Sequence, residues 1–208
     1  MIRNILFDLG GVIMDIDKNR CVKAFQNLGF AEIGEFLGDY AQKGPFADLE
    51  SGRIDAAEFR RLIRPHLPEG TTDLAINRAL CEFLIGIPER RLVALRELRR
   101  QGLGVYMLSN TNPIMWNSKI GEEFGREGLR REDYFDGIVT SFEARSMKPV
   151  PEIFNYAAEQ LGITPAETLF LDDGEANVRA AEALGWNAAL VRPGVEFDAL
   201  LRDMGVCK

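Results

Sequence analysis

Asn4-Ile5-Leu6-Phe7-Asp8-Leu9-Gly10-Gly11-Val12-Ile13 is the stretch whose reading decides the fold. An apolar run of strand character ends in one carboxylate, and two glycines follow at once. Such a chain presents a charged side chain at the carboxyl end of a buried strand, with open backbone beside it. In open α/β sheets, ligands bind at that end of the strands. Taken alone, Asp followed by Gly is also an ordinary turn, so the weight given to Asp8 depends on what recurs further along.

Working outward, residues 12–17 alternate apolar and polar side chains, which suits a short extended piece or flap. Residues 18–87 contain no convincing strand. Helical patterns fall near 20–28, 32–42, 55–65 and 73–84, separated by turn signals at Gly44-Pro45, Ser51-Gly52 and Pro68-Glu69-Gly70. Asp55 and Glu58 have the spacing of a capping box with an acidic cap. From residue 88, strand signals at 104–109, 135–141, 168–173 and 187–192 alternate with amphipathic helices. The alternation predicts an α/β fold: a Rossmann-like parallel sheet with helices on both faces, and an inserted all-helical cap. The expected division is 1–16 and 88–208 for the core and 17–87 for the cap.

Right-handed crossovers place all strand carboxyl ends on one side. That rule gathers Asp8, Ser109, the Lys148 loop and Asp172-Asp173. Three carboxylates at one edge repel one another unless they hold a hard cation, and Mg²⁺ prefers oxygen ligands. Asp8, Asp173 and the backbone carbonyl near Gly10 form a plausible set. Ser109 and Asn110 follow a strand, so a hydroxyl and free backbone N–H groups can hold an anion, with Lys148 as a point charge. Together these make a phosphate site, where positioning and charge neutralisation dominate.

Charge and composition narrow the class. The 208 residues carry a formal net charge of −7, which disfavours nucleic acid as a partner, because phosphate backbones demand a basic face. Cys21, Cys81 and Cys207 are odd in number and form no CxxC, the pattern of reduced thiols in a cytoplasmic protein. One histidine, His66, gives no zinc-ligand spacing. No signal peptide is expected, and no apolar run approaches the ~20 residues of a membrane helix.

Asp8, Ser109-Asn110-Thr111, Lys148-Pro149 and Leu171-Asp172-Asp173 resemble, in order and spacing, the four motifs of the haloacid dehalogenase-like hydrolases. The helical block is similar to that superfamily's small cap. Phe7-Asp8-Leu9-Gly10-Gly11-Val12, Ser109-Asn110-Thr111-Asn112 and Glu50-Ser51-Gly52-Arg53-Ile54 look most like the sugar-phosphate phosphatases related to bacterial α-glucose-1-phosphate phosphatase. The chain is also similar to the phosphatase domain of soluble epoxide hydrolase. The resemblance implies an Mg²⁺-dependent phosphatase acting on a small phosphorylated metabolite. Asp8 would attack phosphorus and form an aspartyl-phosphate. Mg²⁺ would lie between Asp8, the Gly10 carbonyl and Asp173, with Asp172 bound through water or supporting from behind. Ser109, Asn110 and Lys148 would hold the phosphoryl oxygens.

One position departs from that pattern. The usual motif has a second aspartate two residues after the nucleophile, and this chain has Gly10. General acid–base help is worth ~10²–10⁴ in rate. Asp15 and Asp17 on the flap, the cap residue Glu50 or an ordered water are the candidates to replace it. Phe46 and Glu50, in a cap loop, are candidate substrate contacts. Two rival readings remain in the sequence: a metal-independent 2-haloacid dehalogenase, and a catalytically weak phosphate-binding or regulatory domain. The sequence does not set the oligomeric state.

Overall fold

Residues 1–38 and 42–207 are described by a computed structural model. Its centre is β1 (Asn4–Phe7). Ile5, Leu6 and Phe7 are wholly buried because a parallel strand covered on both faces must be apolar at every position, not at alternate ones. Ile5 and Phe7 belong to one apolar cluster and Leu6 to the other, the period-2 signature of a strand with a core on each side.

β1 is joined edge to edge by β4 (Gly104–Ser109) and β6 (Thr168–Asp172), and the sheet is completed outward by β5 (Gly137–Thr140) and β7 (Asn187–Leu190). The order is β5-β4-β1-β6-β7, all pairs parallel. Asn4 is in register with Gly104 on one side and Thr168 on the other, so β1, β4 and β6 start level and their carboxyl ends share one edge. The helix Glu89–Arg100 covers one face through Leu92, Leu95 and Leu98; Pro151–Leu161 and Glu175–Ala183 cover the other through Ile153, Phe154, Ala157 and Ala181.

Between β1 and β4 lie the helices Lys18–Asn27, Pro45–Glu50, Ala56–Ile63 and Asp73–Cys81. They pack around edge-to-face phenylalanines: Phe46 sits with its ring centroid 4.9 Å from Phe59 and 5.7 Å from Phe25. Each such buried side chain contributes roughly 1.5–3 kcal/mol. His66 stacks on Phe30 at 4.5 Å, a packing role. Among the described residues, no helix is long and apolar enough to cross a membrane.

Three expectations need correction. Residues 18–87 are not strandless: β3 (Leu84–Gly86) pairs antiparallel with β2 (Asp15–Ile16), tying the flap to the end of the helical block. Three residues are too few for a period to show. Gly44-Pro45 is not a turn between helices but a helix start, with Pro45 at the first helical position, where its missing N–H costs nothing. Phe46 and Glu50 therefore sit on a helix, not in a loop. The helix expected over 32–42 is only a short 3₁₀ turn, Ala31–Glu35; residues 39–41 of that span lie outside the described residues.

Candidate active site

The sheet edge sets the site. Asp8 lies one residue past β1, and its N–H still donates to the Leu171 carbonyl of β6 at 2.8 Å. The backbone is thus anchored while the carboxylate turns outward. Lys148 Nζ stands 2.7 Å from Asp8 Oδ1 and 2.6 Å from Asp172 Oδ2. Asp172 Oδ1 accepts from the Gly174 N–H at 2.7 Å and from Asn177 Nδ2 at 2.9 Å. Asp172 is therefore fully engaged and fully buried, and it holds Lys148 from behind. Ligand oxygens of Asp8, Asp172 and Asp173 all lie within 4.8 Å of one another.

The electrostatics show a shortage of positive charge. Burial, then the repulsion of Asp172 and Asp173, push the Asp8 carboxyl up to about 7, although Lys148 works against the rise. Burial and the neighbouring Asp172 raise Asp173 to about 6. Burial opposes the Lys148 charge, but Asp172 and Asp8 outweigh it and its pKa is raised. One lysine thus serves three carboxylates. That donor set, all hard oxygen and net negative, fits a divalent cation such as Mg²⁺.

Ser109 ends β4, almost wholly buried, and with Asn110 and Thr111 lines a cavity of about 110 Å³ that also takes in Asp8, Lys148 and Asp173. The Asn110 side chain has a job that the sequence did not reveal. Its Oδ1 accepts from the Lys148 N–H at 2.9 Å, and its Nδ2 donates to the Lys148 carbonyl at 3.0 Å. It clamps the lysine backbone and so aims the ammonium.

The cap contributes to the same cavity through Phe46, Leu49 and Glu50. It docks on the core at two places. Ser141 Oγ accepts from the Thr111 N–H at 3.0 Å and donates to the Glu50 carbonyl at 2.6 Å. Gly52, at φ +65°, presses so closely on the core that a Cβ there would stand 2.1 Å from the Phe142 carbonyl oxygen.

Asp15 and Asp17 are placed differently. Asp15 Oδ1 accepts from Arg91 Nη1 at 2.7 Å, and Arg91 in turn forms two bonds to Glu196. Asp17 caps the helix Lys18–Asn27, accepting from the Asn19 N–H at 2.8 Å. Neither lines the cavity that holds Asp8. Both spend their carboxylates on structure.

A family model described as haloacid dehalogenase-like hydrolase matches residues 2–185. The chain belongs to the haloacid dehalogenase-like hydrolases. Within that family it is similar to a D-ribitol-5-phosphate phosphatase of Bacteroides thetaiotaomicron, 36% identical over 95% of each chain, and to a sesquiterpene phosphatase of Aspergillus oryzae, 36% identical over 86% of this chain and 85% of that one. Among solved structures, a family enzyme from Bacteroides thetaiotaomicron in complex with magnesium and inorganic phosphate superimposes with a TM-score of 0.90 at 39% identity, covering 97% of this hydrolase and 100% of that chain. An L-2-haloacid dehalogenase from Xanthobacter autotrophicus, 20% identical with a TM-score of 0.61 over 99% of this chain and 83% of that one, shares the fold.

Two residues that support the site of this hydrolase carry no signal in the sequence. Ser141 acts by bonding to Thr111, 30 residues away, and Asn177 by bonding to Asp172 from the first turns of the helix that follows it. Asn112, by contrast, stands in the Ser109-Asn110-Thr111-Asn112 motif. Its Oδ1 accepts from the Met115 N–H at 3.0 Å, capping the turn of helix Pro113–Met115.

Proposed function

We propose that this hydrolase is an Mg²⁺-dependent phosphatase that acts on small phosphate monoesters, sugar or polyol phosphates foremost, through an aspartyl-phosphate on Asp8. The observation that carries the reading is the position of Asp8: its carboxylate stands at the head of the central strand, against Lys148, in a cavity shared with the Asp173 carboxylate and the Ser109 loop. The magnesium-and-phosphate complex of the similar enzyme from Bacteroides thetaiotaomicron supports it.

In the first step an Asp8 oxygen attacks phosphorus in line and the ester oxygen departs with its electron pair, leaving phosphorus bonded to Asp8. In the second, water attacks the same phosphorus, the acyl phosphate P–O bond breaks, and Asp8 is regenerated with inorganic phosphate. Ser109, the Asn110 N–H and Lys148 hold the non-bridging oxygens where charge gathers. Asp8, Asp173, the Gly10 carbonyl and Asp172 would hold Mg²⁺, which supplies charge neutralisation between nucleophile and phosphoryl group. Asp172, already bonded to Lys148, Gly174 and Asn177, suits the supporting place and Asp173 the direct one. Residues 1–16 and 88–208 would supply the chemistry, and 17–87 the cover over it.

A haloalkanoate dehalogenase needs no cation, and three carboxylates packed within 4.8 Å of one another would be a cost without a return. The test is release of phosphate and of halide from a mixed ester and haloacid panel, with Mg²⁺ and with EDTA. Phosphate released only with Mg²⁺ is expected. Halide released in EDTA, with no phosphate from any ester, would overturn the reading.

A further inference from the structure

We infer that Glu50 is a specificity-determining residue that hydrogen-bonds a hydroxyl of the leaving group, so that the cavity selects neutral, hydroxylated alcohols over those carrying a second anionic group. The inference rests on the phosphatase reading above.

Among the described cap residues that line the cavity, only Gln42 and Glu50 are polar; the rest include Leu37, Phe46, Leu80 and Phe83. No described residue gives the Glu50 carboxyl a hydrogen bond or an ion pair; the bond from Ser141 goes to its backbone carbonyl. Glu50 is partly buried and lines the cavity, so its unpartnered carboxyl is left open to a ligand there. Burial alone pushes the Glu50 carboxyl up to about 8, so near neutrality it is a carboxylic acid, one O–H donor with acceptor capacity beside it. That pairing matches an alcohol hydroxyl, which donates and accepts in turn.

The backbone fixes where this acid stands. The Glu50 carbonyl is held by Ser141 Oγ, and the same oxygen takes the Thr111 N–H. Two hydrogen bonds therefore link Glu50 to the loop that begins at Ser109. Gly52 allows the cap turn to seat directly on the Phe142 carbonyl. The distance from the phosphate end of the cavity to Glu50 is built in by these contacts.

The cavity is also one-sided in charge. Among its described lining residues the only cation is Lys148, and that ammonium is already shared by Asp8 and Asp172. A second phosphate or a carboxylate on the leaving group would lose its water against leucine and phenylalanine and meet Glu50 with no counter-ion. Burying an unpaired charge in that way is strongly unfavourable. A hydroxyl loses little, because Glu50 and the Gln42 amide replace its water.

The experiment compares kcat/KM for ribitol 5-phosphate, p-nitrophenyl phosphate and fructose 1,6-bisphosphate in the wild type, Glu50→Ala, Glu50→Gln and Glu50→Arg. In Glu50→Ala, the ratio of polyol to aryl phosphate should fall at least about tenfold, the discrimination expected when a site's polar partner is removed. Glu50→Gln, which still donates and accepts, should keep most of the ratio. Glu50→Arg should gain on the bisphosphate relative to the polyol. An unchanged ratio in Glu50→Ala, or a wild type that prefers the bisphosphate or an amino-alcohol phosphate such as phosphoethanolamine, would overturn the inference while leaving the phosphatase reading standing. Failure of the wild type to release phosphate from any ester would remove both.

Discussion

Gly11 yields the space that Asp173 fills: a Cβ at position 11 would stand 2.2 Å from Asp173 Oδ2, on a backbone with φ +73°. The second glycine after Asp8 is thus required twice, by its left-handed conformation and by the carboxylate of a strand end 162 residues later. Gly11→Ala should fold with a modest stability loss of about 1–2 kcal/mol and should displace Asp173. Mg²⁺ titration of the variant, followed by phosphate release, should give an apparent affinity at least about tenfold weaker, or 1.4 kcal/mol. Unchanged Mg²⁺ dependence would show that Asp173 does not bind the ion.

Lys148 is the counter-ion of a buried acidic group. Lys148→Met removes it and leaves Asp8 and Asp172 facing each other. Breaking a buried pair by removing one partner costs about 3–5 kcal/mol, so urea denaturation at neutral pH should show a loss of that order. Added Mg²⁺ should recover part of it, since it replaces the missing charge. Lowering the pH should recover part as well, because protonated carboxyls no longer repel. A variant as stable as the wild type in EDTA would contradict the charge account.

Much of this architecture was legible in the chain. Asn4 to Asp8 reads as a strand ending in a carboxylate because a parallel central strand has to be apolar at every position. The convergence of Asp8, Ser109, Lys148 and Asp172-Asp173 follows from strands that alternate with helices and so run parallel. What escaped was tertiary. Leu84–Gly86 is a strand only because Asp15–Ile16 lies beside it. Asp15 looked available until Arg91, 76 residues away, turned out to hold it. The side chain of Asn110 clamps Lys148 across 38 residues. Gly44-Pro45 suits a turn and a helix start equally, and only the packing of Phe46 and Leu49 into the core decides for the helix.

Glu50 gives a pH signature that does not depend on a bound ion. Its carboxyl stands at about 8 in the folded protein, against an ordinary 4.5. Between those values the unfolded chain has lost a proton that the folded protein keeps, so rising pH favours unfolding. Glu50→Gln removes this penalty. Its advantage in Tm over the wild type should be absent below pH 4.5, grow through neutrality and level off above about 8, at about 2–4 °C per kcal/mol. Asp8 and Asp173 titrate in both proteins and cancel in the comparison. Parallel Tm curves across that range would show that Glu50 is ionised and solvated.

Gly10 occupies the place of an expected acid. A Cβ there would meet Ile16 Cδ1 at 3.3 Å, so an aspartate fits after a small shift of that side chain. Gly10→Asp should raise kcat most for poor leaving groups, by up to about 10², and least for p-nitrophenyl phosphate. Equal relative rates along a leaving-group series would mean that another group already delivers the proton.

The central claim is that phosphorus passes through Asp8. The direct measurement is mass spectrometry of acid-quenched protein, digested after brief turnover of ribitol 5-phosphate with Mg²⁺, in the wild type and in Asp8→Asn. The account predicts that the wild-type peptide containing Asp8 gains the mass of one phosphoryl group, and that Asp8→Asn shows neither that peptide nor phosphate release above about 10⁻³ of the wild-type rate. Phosphate released at similar rates by both proteins, with no modified peptide in either, would contradict it.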